Sequence, residues 1–198
     1  MPVINLKNKY FLLRHGQSWA NVWKIVVSSM EEGVKEMYSL TKFGKNQVRE
    51  SIETAKEDGL LDETILIYSS PFSRCKRTAE IAREILEINQ EIFFDERLRE
   101  RWFGDLEGTD SSNDIYQEIH QQDLLNSEHK EWNIESLKEL QKRMISVIHD
   151  LEKKYFFGRK ILLVSHGDPL KSLEASLCGK PINSLEMLKT AELREIKQ

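Results

Sequence analysis

The stretch Ile161–Asp168 reads ILLVSHGD, four branched apolar residues followed by Ser165, His166 and Gly167. A short continuous apolar run bounded by polar turn residues is the mark of a strand buried on both faces. Two other stretches share this form, FLLRHG over Phe11–Gly16 and ILIYSSPFSR over Ile65–Arg74. Helical periodicity fills the intervals. Phe43, Val48, Ile52 and Ala55 recur at helical spacing between Leu40 and Asp58. Ser73 to Leu86 carries Ala79, Ala82, Ile85 and Leu86, and Ile134 to Leu151 sets Leu137, Leu140, Met144, Ile148 and Leu151 on one stripe. Glu91 to Phe94 reads as a further short strand, and Pro169 opens a helix from its first turn, where its missing N–H costs nothing. Strand alternating with helix predicts an α/β fold: a single three-layer domain over residues 1–198, with a mixed, mostly parallel sheet and helices on both faces. From Asp105 to Asn133 the pattern breaks into polar, weakly helical sequence. It is expected to form an insertion over one end of the sheet, covering the active site.

Composition removes several classes of function. The 29 basic residues against 33 acidic ones give a net charge of -4, which excludes a strongly basic nucleic-acid binder. The longest apolar runs, such as Ile161 to Val164, are far too short to cross a bilayer, and the opening MPVINLKNKYFLLRHG lacks the apolar core of a signal peptide. Cys75 and Cys178 form no CxxC pair, which excludes a disulfide scaffold and a cysteine-rich zinc site. The expectation is a cytoplasmic protein with neither nucleic-acid nor membrane partners. No heptad run stands out, so the oligomeric state is left open.

In open α/β sheets the binding crevice lies outside the carboxyl ends of the strands. If the three apolar runs are parallel neighbours, His15, Arg74 and His166 converge there, with Arg14 beside them. An HG pair alone marks no more than a strand-to-loop turn; two of them, each closing an apolar run, point to a site. The glycines, Gly16 and Gly167, are expected to permit a sharp turn and close approach of a ligand. Two arginines, two histidines and a helix starting near Gln17 suit a tetrahedral oxyanion, because guanidinium forks match phosphate oxygens. A neutral imidazole can attack phosphorus and divide one hard step into two. The departing alkoxide then needs a proton, and Glu100, in LRERWFG, is the best-placed carboxyl.

The chain resembles the phosphoglycerate mutase-like histidine phosphatases, from Tyr10 to about Gly179. The resemblance rests on RHG at Arg14–Gly16 with QSWAN after it, LTKFGKNQ, SSPFSRCKRTAE, DERLRERWFGDLEG, NIES with Arg143 eight residues beyond its glutamate, and VSHG. It implies His15 as nucleophile, Glu100 as general acid and His166 as second catalytic histidine. It also implies Arg14, Arg74, Ser18, Asn21, His166 and Gly167 as phosphate contacts, with no metal and no cofactor. The implied substrate is a small phosphorylated metabolite.

The chain departs from the family pattern at four places. Gln17 stands where the family has glutamate, Val22 to Ser39 is long and unfamiliar, and Asn133 and Ile134 stand where the family has Gly-Gly before the NIES glutamate. Asp168 follows the second HG, where it either orients His166 or, as expected, caps the next helix. The insertion carries Asp105, Glu107, Asp110, Asp114, Glu118, Asp123, Glu128 and Glu131 but one basic residue, Lys130. Family mutases hold the carboxylate of phosphoglycerate with arginines there and have a longer C-terminal tail. The expectation is therefore a phosphatase. The alternatives are a phosphoglycerate mutase primed by bisphosphoglycerate and a non-catalytic phospho-ligand binder. A metal hydrolase built from His15, His166 and Glu100 ranks below these, since adjacent arginines repel a dication. His120, His129 and His149 read as surface residues, Trp19, Trp23 and Trp102 as pocket walls or core, and Cys75 as buried.

Overall fold

The computed structural model of the chain describes residues 5–111 and 115–197. The first apolar run forms β1 (Lys9–Arg14), followed by the short helices α1 (Trp19–Trp23) and α2 (Met30–Gly33). Next come α3 (Lys42–Glu57), β2 (Leu66–Ser69), α4 (Ser73–Ile85) and the brief β3 (Phe93–Phe94). The order ends with α5 (Ile115–Leu125), α6 (Leu137–Lys154), β4 (Lys160–Ser165), α7 (Gly167–Cys178) and β5 (Leu193–Glu195). Asp114 of the acidic run and the first four residues of the amino terminus lie outside the described residues. Among those described, no helix is long and apolar enough to cross a membrane.

The strands form one sheet in the order β3-β2-β4-β1-β5, in which only β5 runs antiparallel to its neighbour. Side chains alternate between its faces, as a pleated strand requires. Phe11, Leu13, Ile67, Leu162 and Val164 meet Val48 and Ile52 of α3 and Ala79 and Ala82 of α4. On the opposite face Tyr10, Leu12, Leu66, Ile161 and Leu163 meet Leu140, Met144 and Ile148 of α6 and Leu170 and Leu173 of α7. Helices on both faces of a mostly parallel sheet make the expected three layers.

The register explains why the site residues meet. Arg14 at the end of β1 lies opposite Ser165 at the end of β4, so His15 and His166 leave the sheet side by side. The N–H of His15 donates to the Ser165 carbonyl at 3.1 Å, and that of Ser70, just beyond β2, to the Val164 carbonyl at 2.9 Å.

Some local expectations shift. Phe43 is 60% exposed, because α3 starts at Lys42 behind its N-cap Thr41 and turns Gly44, Val48, Ile52 and Ala55 inward. Helix α6 begins at Leu137, not Ile134: Ser136 and Glu139 form a reciprocal capping box, which sets the start more firmly than the apolar stripe. Pro169 is the third residue of α7, still within the turn whose N–H groups have no helical partner. The 105–133 segment holds α5 and supplies Leu106 and Ile119 to a small core with Val26, Phe103 and Ile134. It is tied to the 22–39 stretch, since Val26 exchanges backbone hydrogen bonds with Gly108 and Thr109.

Candidate active site

A cavity of about 310 Å³ opens at the carboxyl ends of β1 and β4. That volume is at the small end for ligand sites. Arg14, His15, Arg74, Glu100 and Gly167 line it together with Asn21, Val27, Phe103, Tyr116, His120 and Asp168. His166 lies beneath, fully buried.

Arg74, brought in by the first turn of α4, organises the centre. Its Nε donates to Nε2 of His15 and to Nδ1 of His166, both at 3.2 Å, and its NH2 group donates to the Val27 carbonyl at 2.9 Å. A guanidinium has donors and no acceptor, so both ring nitrogens facing it carry lone pairs. The other nitrogen of each ring therefore bears the proton: Nδ1 of His15 donates to the Gly16 carbonyl at 2.8 Å, and Nε2 of His166 to Ser70 Oγ at 3.0 Å. The rings meet edge to face, with centroids 5.2 Å apart. Burial, then the charges of Arg74 and Arg14, hold the pKa of His15 well below the usual imidazole range. Burial and Arg74 do the same for His166. His15 thus presents a neutral, correctly turned Nε2 to the cavity side of Arg74.

Among the guanidiniums that line the cavity, two buried nitrogens have no protein partner among the described residues, Nε of Arg14 and NH1 of Arg74. Buried donors of this kind are costly unless a ligand completes them. NH1 of Arg14 is anchored by the Leu188 carbonyl at 2.6 Å.

Glu100 faces this cationic end. Its Oε2 lies 3.6 Å from Nδ1 of His166 and 3.9 Å from Arg74, and its Oε1 accepts the Arg101 N–H at 3.0 Å. Burial and the negative charge of Asp168 outweigh the pull of Arg74, and the carboxyl rises to about 7. Phe103 lines the cavity beside it, whereas Trp102 is absent from the lining. The segment bearing Glu100 is clamped by Arg143. That guanidinium grips both oxygens of Glu135 at 2.7 Å and also donates to the carbonyls of Arg97 and Arg99.

Other residues take places that their sequence context did not indicate. Ser18 is buried as the N-cap of α1, its hydroxyl 3.0 Å from Asn21 Oδ1, and it does not line the cavity; Asn21 does. Gly16 is required by packing more than by a ligand, since a Cβ there would sit 2.4 Å from the Gly44 carbonyl oxygen. At Gly167 a Cβ would reach within 2.7 Å of Met187 Sδ and 3.4 Å of Arg14 Cζ. Asp168 neither caps α7 nor orients His166. His166 holds the cap position without a side-chain bond, and the Asp168 carboxylate turns to His120 Nε2, 3.1 and 3.2 Å away. His120 is thus a cavity residue, not a free surface one, whereas His149 is exposed and His129 half-buried.

Arg101, unmarked in the sequence, is among the largest fully buried side chains. It binds Asp123 through two bonds of 2.5 and 2.9 Å and the Glu135 carbonyl at 2.8 Å. Trp19 and Trp23 stack on each other at 5.6 Å and remain 41% and 46% exposed, so they are neither core nor cavity wall. Cys75 is buried against His166, its Sγ 3.4 Å from Nε2, and burial pushes its thiol pKa up. No group of three or more His, Cys, Asp or Glu side chains among the described residues is placed to hold a metal ion.

Comparison with known proteins agrees with this architecture. A putative phosphoserine phosphatase 2 of Hydrogenobacter thermophilus is 29% identical over 182 residues, covering 89% of this chain and 82% of that protein. A 2,3-bisphosphoglycerate-dependent phosphoglycerate mutase of Mesorhizobium japonicum is 26% identical, covering 85% and 81%. Among solved structures, a variant of phosphoserine phosphatase from Entamoeba histolytica in complex with phosphoserine superposes with a TM-score of 0.72. It is 23% identical, and the match covers 95% of this chain and 89% of that one. The model of the histidine phosphatase superfamily, branch 1, matches residues 10–197, and the chain belongs to that family.

Proposed function

We propose that the protein is a metal-independent phosphomonoester phosphatase that acts on a small phosphorylated metabolite through a phosphohistidine at His15. The observation that carries the reading is the position of Arg74, whose Nε bridges the acceptor nitrogens of both histidines while its NH1 is left for a ligand. A phosphate at the cavity floor would complete the open donors of Arg14 and Arg74, with Asn21 and the Gly167 backbone beside it. Ser18 supports Asn21 as its capping partner.

As the phosphate takes over the Arg74 donors, the Nε2 lone pair of His15 is released from Arg74 Nε. It attacks phosphorus in line, and the phosphorus–oxygen bond to the leaving group breaks. Glu100, protonated below about 7, gives its proton to the departing oxygen. His15 keeps its Nδ1 proton on the Gly16 carbonyl, which accepts from the cationic ring of the intermediate. The Glu100 carboxylate then takes a proton from water attacking the phosphohistidine, and inorganic phosphate leaves. Arg14 and Arg74 hold the transferring group throughout, with His166 supporting Arg74 from beneath as its acceptor.

The relatives named as phosphoserine phosphatases support a small phosphorylated substrate. The absence of arginine from residues 105–133, which close over the site as part of one domain, supports hydrolysis over phosphoryl return. The free thiols of Cys75 and Cys178 support a reducing, cytoplasmic setting. The test is phosphate release from an ester panel after exhaustive chelation. Activity is expected to survive; loss on chelation with recovery on adding zinc or manganese overturns the metal-independent reading. Given 3-phosphoglycerate and a bisphosphoglycerate primer, the protein should form 2-phosphoglycerate more slowly than it releases phosphate, and the reverse order would make it a mutase.

A further inference from the structure

Away from the phosphate end, the cavity wall includes Ser111, Tyr116 and His120. Apart from Arg14, Arg74 and the proposed nucleophile His15, His120 is the cavity-lining side chain, among the described residues, that can carry positive charge. It is also held with unusual firmness for a residue on a surface helix. Both oxygens of Asp168 engage its Nε2, which leaves Nδ1 without a hydrogen-bond partner among the described residues. Asp168 itself is only 11% exposed and lies 3.8 Å from the Arg101 guanidinium, whose own charge is matched by Asp123. The imidazole is therefore oriented by a buried carboxylate that is fixed in turn by the fold.

From these contacts we infer that His120, positioned by Asp168, is the specificity-determining residue of the site and takes the carboxylate of a small phosphorylated hydroxy acid. Asp168 directly follows Gly167, and both line the same cavity as Arg14, Arg74 and His120, so the His120–Asp168 pair is tied to the cavity that holds the phosphate donors. A single imidazolium donor matches a monoanion; a second phosphate, with about twice the charge, calls for guanidinium forks that this wall lacks. The charge of Asp168 also raises the pKa of His120, which keeps Nδ1 a donor. The inference rests on the phosphatase reading and names the substrate class of that same site.

The test compares four small esters: 3-phosphoglycerate, phosphoserine, glycerol 3-phosphate and phosphoethanolamine. The wild-type protein should prefer the two carboxylates over the uncharged ester by at least about tenfold in kcat/KM, carried mainly by KM. In His120→Ala that ratio should collapse to about twofold or less. Using a ratio within each protein removes differences in folding and active fraction. Preference for glycerol 3-phosphate or phosphoethanolamine, or an undiminished carboxylate preference in His120→Ala, overturns the assignment. If His120→Ala does not fold, His120→Gln, which keeps the volume and loses the charge, takes its place, and the ratio should collapse to the same extent. If the wild type hydrolyses none of the four, the phosphatase reading fails separately, and calorimetric binding of the same esters reads the carboxylate preference on its own.

Discussion

Nε of Arg74 lies 3.2 Å from Nε2 of His15, a contact in which the guanidinium is the donor and the imidazole the acceptor. One side chain thus keeps the proposed nucleophile unprotonated at the reacting nitrogen and offers NH1 to the incoming phosphate. Lysine has no second, fixed donor to divide between these tasks. Arg74→Lys should lower kcat/KM by about 10²–10³, in the range for losing one preorganised donor to developing charge. Steady-state kinetics on a small phosphate ester checks this; a loss of less than about threefold would mean that Arg74 is structural.

The pH dependence follows from Glu100 and His15. Burial and Asp168 raise Glu100 to about 7, so its acid form is present below that pH and is lost as pH rises through it. Burial and the two arginines depress His15, so its neutral form persists well into acid. For alkyl phosphates kcat/KM should be level on the acid side of 7 and fall about tenfold per pH unit above it. In Glu100→Gln the alkaline limb should disappear. The same variant should lose about 10²–10⁴ on alkyl phosphates but less than about tenfold on p-nitrophenyl phosphate, whose phenolate leaves unaided. Equal losses on both esters would move the acid role elsewhere.

The clamp beneath Glu100 gives a stability prediction. Glu135 and Arg143 are 9% and 11% exposed and joined by two charge-assisted bonds. Breaking a buried pair by removing one partner typically costs about 3–5 kcal/mol. Here Arg99, 3.6 Å from Glu135, leaves the loss at the lower end of that range. Arg143→Ala should lower unfolding stability by that amount in a denaturant titration and also release the segment carrying Glu100. An unchanged midpoint would show that the Arg97 and Arg99 carbonyls hold without it.

How far the sequence could be read depended on what kind of contact was involved. The strands were legible because ILLV and FLL are buried on both faces and carry no competing pattern, and the HG pairs marked their carboxyl ends. Arg14, His15, Arg74, Glu100 and His166 meet because parallel register brings strand ends together, a consequence that local sequence implies. His120 and Arg101 were not legible. Their partners, Asp168 and Asp123, stand 48 and 22 positions away, and no periodicity encodes such a pairing. Asp168 was misread for the same reason: its place in the first turn of α7 suggests a cap, while its actual partner lies on α5. Phe43 failed differently: it stands five positions before Val48, off the inward stripe of Gly44, Val48, Ile52 and Ala55 that the 3.6-residue turn sets.

The central claim, that phosphate passes through His15, is tested most directly by trapping the phosphoenzyme. Protein mixed with a radiolabelled ester, quenched in alkali and mapped by peptide should carry label on His15. That label should be stable to base and lost in acid, as a phosphoramidate is, and should be absent from His15→Ala along with turnover. Label on a serine or on His166, or turnover retained in His15→Ala, would contradict the account.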